Sequence, residues 1–208
     1  MTRGRFITLE GGEGVGKSTQ AHALAAALRA EGLDIVLTRE PGGSPGAEAI
    51  RRLLLEGGAE RWGARAEALL FAAARADHVG RTIEPALAAG RWVICDRFLD
   101  SSLAYQGGAD GLGEEAIRTL HQLGSGGMLP DRTLLLALPG PDAAERGRLR
   151  DAGAPDRFGA RDLAYHDRVA DAFRGLAERD PARFRVIDAT GKPSDVTQRL
   201  LTAIADLR

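Results

Sequence analysis

The strongest constraint on this chain is a run of eight residues near its start. Gly11-Gly12-Glu13-Gly14-Val15-Gly16-Lys17-Ser18 matches the pattern G-x4-G-K-S. It follows the apolar run Phe6-Ile7-Thr8-Leu9-Glu10 and precedes a segment, Lys17 to Glu31, with Ala21, Leu24, Ala25 and Leu28 on one helical face. Strand, glycine loop, helix is the order a phosphate cradle needs. Glycines let successive backbone N–H groups turn inward, and the helix N-terminus adds partial positive charge. Gly11, Gly12, Glu13, Gly14, Val15, Gly16, Lys17, Ser18 and Thr19 are therefore expected to bind a nucleotide phosphate tail. Lys17 is expected to reach the β- and γ-phosphates, and Ser18 to hold Mg²⁺. The loop alone does not choose the reaction, because ATPases, GTPases and small-molecule kinases share it.

The rest of the chain alternates between the two periods. Strand-like runs at 34–38, 92–96, 132–137 and 185–188 are separated by helical patterns at about 47–56, 65–89, 114–122 and 163–178, and a last amphipathic segment carries Val196, Leu200, Ile204 and Leu207. This predicts an α/β chain of the P-loop NTPase type: three layers, with a five-stranded parallel sheet flanked by helices. The whole of 1–208 reads as a single domain, with Gly107 to Gly113 as a loop. The stretch from about 142 to 162 is charged and weakly periodic, and it reads as a mobile lid.

Composition narrows the partners. A net charge of -1 leaves no global basic field, so nucleic acid is not an expected partner. The lone Cys95 excludes an internal disulfide and a cysteine zinc cage. No apolar run is long enough for a membrane span, and the first residues pass directly into strand-like sequence. A cytoplasmic protein is expected. The chain has 26 arginines and only 2 lysines, so a lysine at position 17 marks a place where a compact charge matters.

Ligands on parallel sheets bind beyond the carboxyl ends of the strands, and three of these ends are unusually polar: 11–19, 39–46 and 96–106. No N-K-x-D guanine loop is present, and the third strand ends Cys95-Asp96-Arg97-Phe98, without the Asp-Glu pair usual in motor-like ATPases. Asp96 beside Ser18 suits Mg²⁺ or its waters. Arg97 suits a second anion. That combination describes a kinase of a phosphorylated acceptor. A kinase of another nucleoside monophosphate or of a deoxynucleoside, and an ATP-dependent switch protein, are the alternatives at this point.

Thr38-Arg39-Glu40-Pro41-Gly42-Gly43-Ser44 resembles the T-R-E-P-G-G-[ST] signature of thymidylate kinases. Asp96-Arg97-Phe98 is similar to that family's D-R-[YFH], Ser101 to Gly107 to its bacterial S-x-x-A-Y-Q-G, and Leu70 to Arg75 to its L-F-x-A-A-R helix. Ile187-Asp188-Ala189-Thr190 also fits, so the likeness covers nearly the whole chain in order. It implies transfer of the γ-phosphoryl of ATP to dTMP, giving dTDP, in a homodimer. It implies that Phe71 stacks on thymine, that Arg75 donates to a thymine oxygen, and that Arg97, Arg39 and Arg51 hold the 5′-phosphate. Ser102 and Gln106 fall at the base or sugar edge, Tyr105 near the 2′-carbon, and Glu40 and Asp96 organise water and metal. A flat base favours an aromatic face and a phosphomonoester favours guanidinium groups, which agrees with Phe71 and the arginines.

In this family a catalytic arginine comes from the phosphate loop or from the lid. The loop here, Glu13-Gly14-Val15, has none. The resemblance of Asp156-Arg157 to the lid motif D-R-x-E, with Gly159 in place of the acid, puts Arg157 first, with Arg150 and Arg146 behind it. His22, His78, His121 and His166 are expected on helices or at the surface.

Overall fold

The computed structural model describes residues 3–151, 157–159 and 161–208, without the side chains of 59, 144 and 147–151. Five strands, β1 Phe6–Glu10, β2 Ile35–Arg39, β3 Trp92–Asp96, β4 Arg132–Ala137 and β5 Phe184–Asp188, form one parallel sheet in the order β2-β3-β1-β4-β5. The register sets Asp96 opposite both Leu9 and Arg39, so the ends of β1, β2 and β3 are level.

Side-chain alternation along the strands divides the interior into two cores. Ile7, Leu9, Ile94, Leu134 and Leu136 pack against Leu24 and Leu28 of helix α1 (Lys17–Ala30) and against Val196 and Leu200 of helix α9 (Pro193–Ala203). Phe6, Val93, Cys95 and Leu135 point the other way. They pack toward helices α3 (Ala64–His78), α6 (Glu114–Ser125) and α8 (Leu163–Arg179), represented by Ala68, Ile117, Val169 and Phe173. This is the three-layer parallel architecture that the alternating pattern predicts. Of the described residues, no helix is long and apolar enough to cross a membrane.

The remaining helices are α2 (Pro45–Leu55), α4 (Glu84–Ala88), α5 (Leu99–Ser102) and α7 (Gly140–Asp151). Three sequence expectations change. The single helix expected over 65–89 is broken: α3 ends at His78, a π-helical turn runs Val79–Ile83, and α4 resumes the path. Pro85 is the cause, because it has no N–H for the preceding turn, and the Glu84 N–H reaches back to Val79 O instead. The loop expected from Gly107 begins late. A wide π-helical turn, Leu103–Ala109, carries α5 through Gly107 and Gly108. A Cβ at Gly108 would lie 2.9 Å from the Ala172 Cβ on α8, so glycine lets this turn dock there. The first part of the expected lid, 142–151, is helical in α7.

Ile94 lies in the central strand β3 and is fully buried. Ile94→Ala leaves a cavity between the sheet and α1. The expected cost is about 2–5 kcal/mol, read from the midpoint of urea unfolding with an unchanged slope.

Candidate active site

The phosphate loop is built by close backbone approach. Gly11 has φ +136°, and a Cβ there would meet Leu136 O at 2.6 Å. Only glycine lets β1 turn into the loop so near β4. The loop ends at Gly16, in the left-handed conformation, and α1 starts at Lys17 with its first N–H groups free to face an anion. The Lys17 side chain is buried and folds back, its Nζ donating to Gly12 O at 2.5 Å. Burial, and after it the charge of Arg97, lowers the Lys17 pKa to about 8.

Next to the loop, Ser18 Oγ donates to Asp96 Oδ2 at 2.5 Å. Asp96 Oδ1 is buried with no hydrogen-bond partner among the described residues. An orphaned carboxylate oxygen beside a hydroxyl is a donor set that suits a hard divalent cation completing its shell with phosphate and water. Mg²⁺ therefore fits the residues present.

Arg97 follows directly. It is the one non-glycine residue with positive φ among those described, at 68°. Its Nη1 donates to Gly11 O and to Ser101 Oγ, each at 3.1 Å, and its Nη2 pairs with Glu13. The guanidinium also lies over the Tyr105 ring, 5.2 Å from the centroid. Burial opposes its charge, but Glu13, Tyr105, Asp96 and Glu10 outweigh burial and hold it firmly protonated. Tyr105 OH donates to Glu13 Oε1 at 3.0 Å, so Glu13 ties the loop to both residues.

A second cluster surrounds Arg75 on α3. Its Nε donates to Glu40 Oε2 at 2.8 Å, and its Nη2 to Ser102 Oγ at 2.8 Å and Phe98 O at 3.2 Å. These bonds fix the guanidinium plane, and Nη1 has no partner among the described residues. The other oxygen of Glu40 meets His78 Nδ1 at 3.0 Å, and His78 Nε2 meets Thr38 Oγ1 at 2.7 Å. His78 and His121 are helical as expected, but both are buried. Gln106 Nε2 donates to Glu67 Oε1 at 3.1 Å.

These groups share one cleft of about 820 Å³ at the carboxyl ends of β1, β2 and β3. Lys17, Ser18 and Asp96 line one part of it. Arg97, Arg75, Phe71, Tyr105, Ser102 and Gln106 line another, with Glu40, Arg39 and Arg51 at its side. Arg39 is exposed and pairs with Glu48, 3.0 Å away, while Arg51 Nη1 donates to Pro41 O at 2.6 Å. Gly11 and Gly12 shape the loop from behind and do not line the cleft, whereas residues 13 to 19 do. Gly191 and Pro193, at the start of α9, border the cleft beyond the loop.

Arg157 is placed differently from the expectation. Its buried guanidinium donates to Leu54 O at 2.7 Å and Gly58 O at 2.9 Å, and reaches Glu67 Oε2 at 3.3 Å. It does not line the cleft. Its neighbour Phe158 does, packing edge-on to Phe71 with centroids 5.7 Å apart. Among the described arginine side chains of 142–162, Arg146 lines the cleft, its Nη1 donating to Ala189 O at 3.4 Å. The Arg150 side chain and Asp156 lie outside the described residues.

Sequence reasoning missed Glu10, Glu67 and Ser101. Glu10 reads as the last residue of an apolar strand, and Glu67 as the polar side of a helix. Their one visible signal is a carboxyl at a position whose period points inward.

A phosphate loop facing a second, arginine-walled pocket in one cleft, on this sheet order, places the chain among P-loop kinases that phosphorylate a small anionic acceptor. Comparison with known proteins gives the family. The thymidylate kinase model matches residues 9–200. A thymidylate kinase of Rhizorhabdus wittichii is 74% identical over 204 residues, covering 98% of each chain. One of Bradyrhizobium sp. (strain BTAi1) is 50% identical over 98% of this chain and 94% of its own. The solved thymidylate kinase of Ehrlichia chaffeensis superposes with a TM-score of 0.79 at 31% identity, over 97% of this chain and 99% of that one. The chain belongs to the thymidylate kinase family.

The lowered pKa of Lys17 has a measurable consequence. A polyphosphate beside Lys17 stabilises its charged form and raises its pKa above about 8, so above that pH binding takes up a proton. ATP affinity is expected to be insensitive to Lys17 between pH 7 and 8 and to fall by up to about tenfold per unit above it. Calorimetry at pH 9 in buffers of different ionisation enthalpy measures the uptake, which is expected to vanish in Lys17→Ala.

Proposed function

We propose that the cleft joins ATP and dTMP end to end, the polyphosphate on the glycine loop and the acceptor phosphate against Arg97. As a member of its family the chain is an enzyme, a dTMP kinase: the γ-phosphoryl of ATP passes to dTMP, giving dTDP and ADP. The observation that carries the residue assignment is that Arg97 and Phe71 line the same cleft as Lys17.

The acceptor phosphate is already an anion, so no covalent nucleophile is needed and catalysis is positioning plus charge neutralisation. Loop N–H groups from Glu13 to Lys17 cradle the donor, and Lys17 swings from Gly12 O to the phosphates. Ser18 and Asp96 hold Mg²⁺, which when bound neutralises charge on the transferring group. Arg97, with Arg39 and Arg51 at the cleft wall, receives the 5′-phosphate. Phe71 stacks on the thymine, and the free Nη1 of Arg75 donates to a ring oxygen, its plane held by Glu40, Phe98 O and Ser102. Gln106 and Tyr105 close the base and sugar edges.

For the catalytic arginine of the lid we favour Arg146 over Arg157. Arg146 lines the cleft, whereas the Arg157 guanidinium is committed to Glu67 and two carbonyls. The chain is proposed to act in the cytoplasm as a homodimer. Leu69 on α3 and Leu123 on α6 are 57% and 87% exposed on helices that pack together, which supplies an apolar face.

Two measurements test this reading. With a panel of nucleoside monophosphates, dTMP is expected to give the highest kcat/KM. Arg97→Ala is expected to raise the KM for dTMP at least about tenfold, the loss of one charge-assisted contact, with ATP affinity changed less than about twofold. Equal loss of both substrates would make Arg97 a structural residue. Arg146→Ala is expected to lower kcat by about 10²–10³ with little change in thermal stability. Arg157→Ala is instead expected to destabilise the fold by about 3–5 kcal/mol, because it leaves Glu67 buried with Gln106 but without a counter-charge.

A further inference from the structure

We propose that Glu10 is a positioning residue for Arg97: it touches neither nucleotide subsite, and it fixes the turn that aims the acceptor-side guanidinium. The inference rests on the assignment of Arg97 to the acceptor phosphate.

Glu10 ends β1 and is fully buried. It does not line the cleft. Alternation puts it on the Phe6 and Thr8 face of the sheet, directly under the turn that leaves β3. A buried carboxyl is costly unless both oxygens are satisfied. Both are, and by the residues around Arg97. Oε1 accepts the Phe98 N–H at 2.7 Å, and Oε2 accepts from Ser101 Oγ at 2.6 Å. Ser101 Oγ in turn accepts from Arg97 Nη1 at 3.1 Å.

The turn needs such a hold. Arg97 sits at φ 68°, a conformation that a residue with a Cβ leaves unless its surroundings fix it. Its own N–H donates to Leu9 O at 3.0 Å, and the next N–H, of Phe98, goes to Glu10. The backbone is thus pinned on both sides of the strained residue by consecutive residues of β1. The side chain is pinned by Ser101 and by Gly11 O. One carboxyl therefore sets both where the Arg97 backbone turns and where its guanidinium lies.

The charge of Glu10 is not what serves this role. Burial, and after it the nearby Asp100, raises its pKa to about 8, which disfavours the charged form. A neutral side chain of the same shape can take its place. Glutamine keeps an acceptor for Phe98 N–H and keeps contact with Ser101, whereas alanine loses both bonds.

The test uses the full chain, with initial rates at neutral pH in ATP and dTMP. Glu10→Ala is expected to raise the KM for dTMP tenfold or more while the KM for ATP changes less than twofold. Glu10→Gln is expected to recover most of that loss. Adding Glu10→Ala to Arg97→Ala is expected to produce no further loss toward dTMP, because both changes remove the same contact. Equal losses toward both substrates, or an additive double variant, would overturn the proposal. If Arg97→Ala leaves the KM for dTMP unchanged, the acceptor assignment itself falls and the role of Glu10 falls with it. If Arg97→Ala has the expected effect and Glu10→Ala does not, only the role of Glu10 is overturned. Should Glu10→Ala show no cooperative thermal unfolding, Glu10→Asp decides, since the shorter side chain draws the carboxyl away from Phe98 N–H and Ser101 Oγ and leaves the Ser101 contact to Arg97 in place. A rise of about threefold or more confined to dTMP supports the proposal, and no change overturns it.

Discussion

The contact between Arg97 and the phosphate loop sets the geometry of everything around it. A guanidinium from the end of β3 donates to Gly11 O and pairs with Glu13, so two strand ends are joined by a charge that stays protonated. An arginine has five donors in a rigid fork, and several can be spent on the scaffold while others face a ligand. The distance between the glycine loop and the arginine-walled part of the cleft is therefore fixed by the sheet. That is what an in-line transfer between two anions needs, since each repels the other in solution.

Around this contact the site concentrates opposite charges in little water. Lys17 is buried with Glu10, Glu13 and Asp96 nearby, and its pKa falls because loss of hydration outweighs those carboxyls. Glu10 moves upward for the same reason. The cleft thus holds groups that a phosphate and its cation can satisfy: a lysine turned onto a carbonyl, and an aspartate oxygen without a partner among the described residues. Beyond α7, Arg157 is held by Leu54 O and its neighbour Phe158 packs on Phe71 at the cleft wall.

Much of this was legible in the residues. The phosphate loop, the parallel sheet and Arg97 as a candidate anion contact followed from local rules of period, glycine spacing and residue chemistry, while Phe71 and Arg75 were singled out by the likeness of Leu70 to Arg75 to a thymidylate kinase helix. The breaks at Val79 and Leu103 were not legible, because a π-turn answers to a proline two residues past its end in one case and to a distant helix in the other. The surroundings of Arg157 were not legible either, for a related reason. A motif gives the residue type, but its direction depends on α2 and α3, about a hundred residues away in sequence.

The sequence by itself determined which atoms are available: a glycine loop able to bend, a lysine and a serine at the helix start, and arginines and an aromatic at the ends of three strands. Local conformation and chemistry are short-range properties, so a linear pattern carries them. Only the tertiary structure decided which of those atoms are free. Whether a guanidinium meets a ligand or a carbonyl, and whether a carboxyl keeps its proton, depends on burial and on partners contributed by strands far apart in the chain. Arg97, Arg146 and Arg157 are alike as letters and differ only in what the fold sets beside them.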